Sequence, residues 1–330
     1  MPVINKIIIT GVAGLIGSHL ADTVLEEFDC QLVGVDDLSA GRIENIQMHM
    51  NDSRFSFHQF DVCQARKLDH LCKDADIIVH LAARKKIGEK QSGVEVLSVN
   101  SRGLENVLES ARKHGCKVVL GSTSDVYGLS QELPFREDGD LVLGPSTAKR
   151  WAYAVSKLYD EHLAMAYYKD HGVPVVILRY FGCFSPRSSF SWSGGHVPLF
   201  IDWILKDEEV IIHGDGSQTR SMGHVLDTVK GTALAMHQKE AVGEIINIGN
   251  DEELSVIDCA RLIHRLAETQ KPIKIKLIPM EELFGSYRDI PRRKPDLSKA
   301  ARLLGYKPQL RFENALRETI AVRKRDLGIA

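Results

Sequence analysis

Apolar, β-rich runs punctuate the first 181 residues at Lys6–Thr10, Gln31–Asp36, Phe55–Asp61, Ile77–Ala82, Val118–Ser122 and Val173–Phe181. Most are separated by segments with helical periodicity, notably Leu15–Phe28, Gly93–His114 and Lys149–His171. Continuous apolar strands alternating with helices predict an α/β architecture, a parallel sheet covered on both faces. After Phe181 the rhythm changes. Cys183–Val197 is rich in Ser, Gly, Pro and aromatic residues and reads as a long loop. Shorter elements follow: helices near Pro198–Lys206, Asp227–Gln238 and Ser255–Gln270, strands near Val210–His213, Glu244–Gly249 and Ile273–Ile278, and two C-terminal helices. The pattern predicts a first domain over residues 1–182 and a smaller mixed α/β lobe over 183–330, with segments near 226–250 packing back on the first. No internal repeat and no low-complexity tract interrupts it.

Charge changes the picture little. The chain has 330 residues with 42 basic and 44 acidic side chains. Such a balance gives no reason to expect nucleic acid or a membrane surface as partner. No apolar stretch approaches the length of a membrane span. The N-terminus runs straight into a strand without a signal-peptide pattern, so a cytoplasmic protein is expected. The six cysteines and thirteen histidines show no metal-ligand spacing. Reduced thiols and no metal are the expectation.

Two motifs carry the candidate chemistry. Gly11-Val-Ala-Gly14-Leu-Ile-Gly17 joins an apolar strand to a helix. Glycines allow that turn to close tightly and let a pyrophosphate approach the backbone and the helix N-terminus. Asp36 ends the next strand, at the spacing of a carboxylate that bonds an adenosine ribose. Such a carboxylate repels a 2′-phosphate, which favours NAD over NADP; Arg42 is the feature that points the other way. A plain loop-start acid is the alternative for Asp36. The second motif is Tyr153-Ala-Val-Ser-Lys157. Its spacing puts both side chains on one helix face. There the ammonium can favour the phenolate and turn a weak base into a useful one.

The chain resembles the extended short-chain dehydrogenase/reductases, in the group of nucleotide-sugar epimerases, dehydratases and decarboxylases, with features of UDP-glucose 4-epimerase-like members. The resemblance rests on Gly11–Gly17, Asp36-Asp-Leu-Ser39, Asp61-Val62, His80-Leu-Ala-Ala83, Ser122-Thr-Ser-Asp-Val-Tyr-Gly128, Tyr153–Lys157, Arg179-Tyr-Phe181, His213–Arg220 and Arg293-Lys-Pro-Asp296. It covers nearly the whole chain and implies a Rossmann-type doubly wound sheet with a C-terminal substrate lobe. It also implies roles. Gly11, Gly14, Leu15, Ile16, Gly17 and Asp36 belong to the NAD site, with Asp61 and Val62 at the adenine. Leu81, Ala82 and Ala83 line the cofactor. Tyr153 matches the catalytic base, Lys157 the lysine on the nicotinamide ribose and Thr123 the hydroxyl that bonds the sugar O4. Ser124, Arg187, Arg220 and Arg293 are implied in substrate binding, Arg220 on the diphosphate. A surface charge after a Gly-rich turn is the plainer reading of Arg220. A homodimer through a four-helix interface of the long helices is implied as well.

Departures from the family pattern bear on the substrate. Arg179-Tyr-Phe-Gly182-Cys-Phe-Ser185-Pro186 lacks an asparagine common after the sixth strand. The Ser188–His196 loop, with Trp192, resembles that of epimerase-like members. The shared first step is oxidation of the sugar C4 hydroxyl, after which three outcomes stay open. They are 4-epimerisation, decarboxylation of a uronate and 4,6-dehydration, all with NAD recycled. The 4-epimerase with a UDP-sugar substrate is the leading expectation. Asp125 keeps the others open, because Ser124-Asp125 is nearest to the decarboxylase arrangement and Arg293 resembles a decarboxylase arginine. Capping of the following loop is the structural alternative for Asp125. The cluster Arg84-Lys85-Lys86 reads first as a solvated charge run, and second as a partner for a substrate carboxylate. A nucleotide sensor on the same fold and an NADPH-consuming reductase are the competing classes. The presence of Thr123, Tyr153 and Lys157 together argues against the sensor, and Asp36 against the reductase.

Overall fold

The predicted strands assemble in a computed structural model that describes residues 4–85, 92–148, 150–190, 195–279 and 290–329. The first half runs β1 (Lys6–Thr10), α1 (Leu15–Glu27), β2 (Gln31–Asp36), β3 (Phe55–Gln59), α2 (Ala65–Cys72), β4 (Ile77–His80), α3 (Gly93–His114), β5 (Lys117–Thr123), α4 (Trp151–His171) and β6 (Val175–Tyr180). The chain continues through β7 (Gly182–Phe184), α5 (His196–Leu205), β8 (Val210–His213), β9 (Thr219–His224), α6 (Val225–His237), β10 (Ile245–Ile248), β11 (Glu253–Ser255), α7 (Val256–Ala267), β12 (Ile275–Ile278), α8 (Ser298–Leu304) and α9 (Phe312–Asp326). Seven strands pair in parallel in the order β10-β6-β5-β4-β1-β2-β3.

Alternation along β1 explains the two-faced core. Successive strand side chains point to opposite faces. Ile7 and Ile9 pack with Leu20 and Val24 of α1 and Met236 of α6. Ile8 packs on the other face with Leu104 and Leu108 of α3. β10 and α6 return to this sheet from the second half of the chain, α6 against α1. A separate apolar cluster joins Phe184, Phe200 of α5, Ile212 of β8, Ile263 of α7 and Leu316 of α9.

Several strands end earlier than their apolar runs suggest. β3 stops at Gln59 and β4 at His80, so Asp61 and Leu81–Ala83 leave the ladder at the carboxyl edge of the sheet. β6 starts only after Pro174, which has no N–H to donate. The expected Cys183–Val197 loop opens instead with a strand. β7 pairs with β9, and β9 with β11, in a second sheet. Three-residue strands are too short to show a period, and β9, Thr-Arg-Ser-Met-Gly-His, has Met222 as its one large apolar side chain. Trp192, Lys86 and Lys149 lie outside the described residues.

Candidate active site

The β1–α1 turn places a phosphate-sized cradle at the sheet edge. Gly11 has φ +74°, and a Cβ there would lie 2.8 Å from the Ala82 nitrogen. A Cβ on Gly17 would lie 2.1 Å from the Gly11 carbonyl oxygen. Neither position tolerates a side chain without moving backbone. The N-terminus of α1 has no side-chain cap and no acid in its first turn, which suits an anion. Leu15 and Ile16 pack that turn against the core.

Gly11, Gly14, Asp36, Asp61, Val62, Leu81, Ala82 and Ala83 all line one cleft, as expected of a dinucleotide site. Asp36 accepts from the Ala13 N–H at 3.0 Å and the Leu38 N–H at 2.8 Å. Burial pushes its carboxyl above the usual value, partly offset by those two bonds. Asp61 accepts from the Cys63 N–H at 2.8 Å. Arg42 donates to the Arg187 carbonyl at 3.2 Å and to Asn45. Both bonds use its Nη2. These features fit an adenine dinucleotide with a free ribose hydroxyl.

A second group of side chains converges beyond the end of β5. Thr123 and Ser124 are buried there. The Thr123 hydroxyl accepts from the Asp125 N–H at 3.2 Å, which starts a short 3-10 turn over Ser124–Tyr127. Arg293 arrives from a segment beside β9, where the Ser221 N–H donates to the Arg293 carbonyl at 3.2 Å. Its Nη1 meets the Asp125 carboxylate at 2.6 Å. Burial would raise the Asp125 carboxyl, but Arg293, Lys85 and Arg150 overcome that and hold it well below the usual carboxylate range. Asp125 is therefore a fixed anion rather than a proton donor in this arrangement.

Lys85 is solvent-exposed, as a charge run would be, yet it also borders the site. Its Nζ sits 5.8 Å from the centroid of the Tyr153 ring. Neighbouring Arg84 pairs instead with Asp37 at 2.9 Å and Glu95 at 3.6 Å. Asn100 of α3 holds this loop. Its amide accepts from the Arg84 N–H at 2.7 Å, donates to the Arg84 carbonyl at 3.1 Å and donates to Ser156 Oγ at 2.9 Å. Sequence reasoning missed Asn100; the available signal was a polar residue on the buried stripe of an amphipathic helix.

Tyr153 and Lys157 share one face of α4, four residues apart. The Lys157 ammonium meets Asp160 at 3.1 Å, with both side chains almost wholly buried. Burial, Asp125 and Asp160 push the Tyr153 hydroxyl above its usual value. Any phenolate must be stabilised against two carboxylates.

Two expected substrate residues stand apart from this cluster. Arg187 is engaged elsewhere: its Nη2 pairs with Asp22 of α1 at 2.8 Å. Arg220 donates to the carbonyls of Thr219 and Ile290, both at 2.8 Å. It lines a different cleft with Met222, Leu254 and Arg311. The six cysteines are unpaired thiols. Among the described residues no group of His, Cys, Asp or Glu could hold a metal, and no helix is long and apolar enough to cross a membrane.

Comparison with known proteins gives this geometry a context. A family model described as GDP-mannose 4,6 dehydratase matches residues 8–319. UDP-N-acetyl-alpha-D-glucosaminuronate decarboxylase of Bacillus cytotoxicus is 34% identical over 320 residues, 96% of this chain and 97% of that protein. UDP-glucuronic acid decarboxylase 1 of Xenopus tropicalis is 32% identical over 98% of this chain and 73% of its own. Among solved structures, UDP-glucuronic acid 4-epimerase of Bacillus cereus in complex with UDP-glucuronic acid and NAD superposes with a TM-score of 0.85. It is 30% identical, covering 97% of this chain and 99% of that one.

Proposed function

Because the chain belongs to the extended short-chain dehydrogenase/reductase family of nucleotide-sugar epimerases, dehydratases and decarboxylases, we propose that it is an NAD-dependent decarboxylase of a UDP-hexuronate. The observation that carries this choice is the Asp125–Arg293 ion pair, seated next to Thr123 and Ser124. A simple epimerase needs only a base and a hydroxyl at C4. An ionised carboxylate flanked by Arg293 and Lys85 provides more, namely charge suited to a second acidic centre on the sugar. The names of the related decarboxylases, and of the related epimerase, all carry a uronic acid, which supports the substrate class.

The glycine turn, Asp36, Asp61, Val62, Leu81–Ala83 and Lys157 would hold NAD, which, when bound, takes up a hydride and later returns it. Tyr153 as phenolate accepts the C4 hydroxyl proton, and Thr123 shares the hydrogen bond. The ketone at C4 then makes the C6 carboxylate β to a carbonyl. The C5–C6 bond breaks, its electron pair enters the C4 carbonyl as an enolate, and carbon dioxide leaves. C5 takes a proton and C4 is reduced again. Lys85 and Arg293 draw the carboxylate in, whereas the Asp125 anion disfavours its charge until carbon dioxide departs. Arg220 is proposed at the diphosphate, where a guanidinium fork suits two phosphate oxygens.

The 4-epimerase is the second reading, favoured by the fit to the Bacillus cereus structure and by the smaller demand it makes on the site. Mass-resolved chromatography after separate incubations with NAD⁺ and UDP-glucuronate, UDP-N-acetylglucosaminuronate or UDP-glucose separates the two. The expected product is lighter by one carbon dioxide. A new peak of unchanged mass transfers the assignment to epimerase, and turnover of UDP-glucose with both uronates inert sinks the uronate reading.

The assembly proposed is a homodimer built on α3 and α4, which pack on each other. Val94 and Leu97 of α3, and Val155 and Tyr159 of α4, leave large apolar side chains at the surface. Such a patch fits a self-complementary interface. Sedimentation should give a dimer for the native chain and a monomer for Leu97→Glu with Val155→Glu; a native monomer would remove the assembly.

A further inference from the structure

Asp160 and Glu161 are adjacent acids on the buried face of α4, yet the fold treats them differently. Glu161 is satisfied on both oxygens. It accepts from Arg179 Nε at 3.0 Å, from Arg179 Nη2 at 2.8 Å and from Ser122 Oγ at 2.5 Å. Among the described residues Asp160 accepts only from Lys157 Nζ, at 3.1 Å on Oδ2. Its Oδ1 is buried and has no hydrogen-bond partner among the described residues. Asp160 is 0% exposed and Lys157 2%. Tyr153, Lys157 and Asp160 stand at i, i+4 and i+7, one continuous face of the helix.

We propose that Asp160 is a positioning residue, which anchors the Lys157 ammonium and sets the pH at which Tyr153 becomes a base. An ammonium this deeply buried is costly without a counter-ion, and Asp160 supplies it from the same helix. The Glu161 pair beside it is satisfied on both oxygens, whereas the Asp160 pair leaves one oxygen open. A half-satisfied buried carboxylate is the kind of exception that marks a working site. Its charge also has a direction. Asp160 opposes the Tyr153 phenolate, as do burial and Asp125. Burial raises the Asp160 carboxyl in turn, and Lys157 counters that rise.

The other groups facing this trio come from every neighbouring element. His80 of β4 is held neutral, its ring pushed down to about 3 by burial and by Lys157. Lys85 lies over the Tyr153 ring, from the segment after β4. Asp125 faces it from the turn after β5, with Arg293 and Arg150 as its cations. Arg179 of β6 is tied to Glu161. Each anion near Tyr153 thus has its own cation, and Lys157 is divided between the tyrosine it is expected to assist and the carboxylate that holds it.

This inference rests on Tyr153 as the base of the proposed C4 oxidation, and not on which product follows. The test is the tyrosinate absorbance titration of the NAD⁺-saturated protein, taken as a difference from Tyr153→Phe. In Asp160→Asn the Tyr153 midpoint should fall by about one pH unit, because one opposing charge is gone. The rising acid limb of kcat/KM should move to lower pH with it, and Asp160→Glu should restore the native midpoint. An unchanged midpoint in Asp160→Asn overturns the proposal and leaves Asp160 a structural acid. If Asp160→Asn does not fold, Asp160→Ser gives the same readout. The titration uses no sugar substrate, so an inert uronate panel leaves its result intact.

Discussion

Tyr153→Phe is expected to lower kcat for the uronate by about 10³-fold, the usual worth of a positioned acid–base group. The substitution is close to minimal. Phenylalanine keeps the ring beneath Lys85, 5.8 Å from its Nζ, and keeps the packing of α4. It removes only the phenolic oxygen proposed to take up and later return the C4 proton. Thr123 remains beside it, but a threonine hydroxyl already used by the Asp125 N–H is a far weaker base. Affinity for UDP should be unchanged, because Arg220 lies in a separate cleft. Turnover followed by product mass, with UDP binding followed by calorimetry, checks both halves. A phenylalanine variant that turns over at the native rate would end the assignment of Tyr153 as the base.

The parts of this site that were legible in the sequence are the parts whose logic is local. The glycine turn is seven consecutive residues between a strand and a helix. Asp36 follows at the end of the next strand, and Tyr153 and Lys157 are one helical turn apart. In each case spacing alone puts the side chains together. What was not legible depends on where distant segments meet. Asp125 has two readings in the sequence, and its meeting with Arg293 depends on the distant segment beside β9 that brings the guanidinium against the carboxylate. Lys85 reads as one of three consecutive cations, and only Asn100, clamping the Arg84 backbone, turns it toward Tyr153. Arg187 follows a family-like Ser-Pro pair but is taken by Asp22 of α1. Asp160 looks like any acid on a long helix, because a carboxylate that leaves one oxygen unpaired has no sequence signature. The second sheet escaped for a simpler reason: β7 and β11 have three residues each, less than two periods of alternation.

Arg293→Gln should cut carbon dioxide release by about 10²-fold, the order expected when one charged donor is removed from a desolvated centre. The proposed oxidation at C4 uses Tyr153, Lys157 and Thr123, none of which pairs directly with Arg293 in the structure. A 4-keto uronate, lighter than substrate by two hydrogens, should therefore accumulate and be visible by mass. Asp125→Asn should show the same loss of carbon dioxide release, with C4 oxidation extending to lower pH because Asp125 also opposes the Tyr153 phenolate, and the double variant should be little worse than either in carbon dioxide release, because the two side chains act as one unit there. Stability gives an independent reading of the same pair. In the native chain Arg293, Lys85 and Arg150 hold the Asp125 carboxyl below its unfolded value against the effect of burial. A depressed carboxyl stabilises the fold above the ordinary carboxylate range, and that contribution is lost as pH falls through the folded value. Without Arg293 the half-buried charge keeps only Lys85 and Arg150 as cations, and the fold is less stable near neutrality. The melting-temperature gap between native and variant should thus be widest at neutral pH and narrow as the carboxyl is protonated in acid. If carbon dioxide release and C4 oxidation fall by equal factors, Arg293 binds substrate and takes no part in decarboxylation. If the gap in melting temperature does not change with pH, the pair with Asp125 is not what the arginine contributes to the fold.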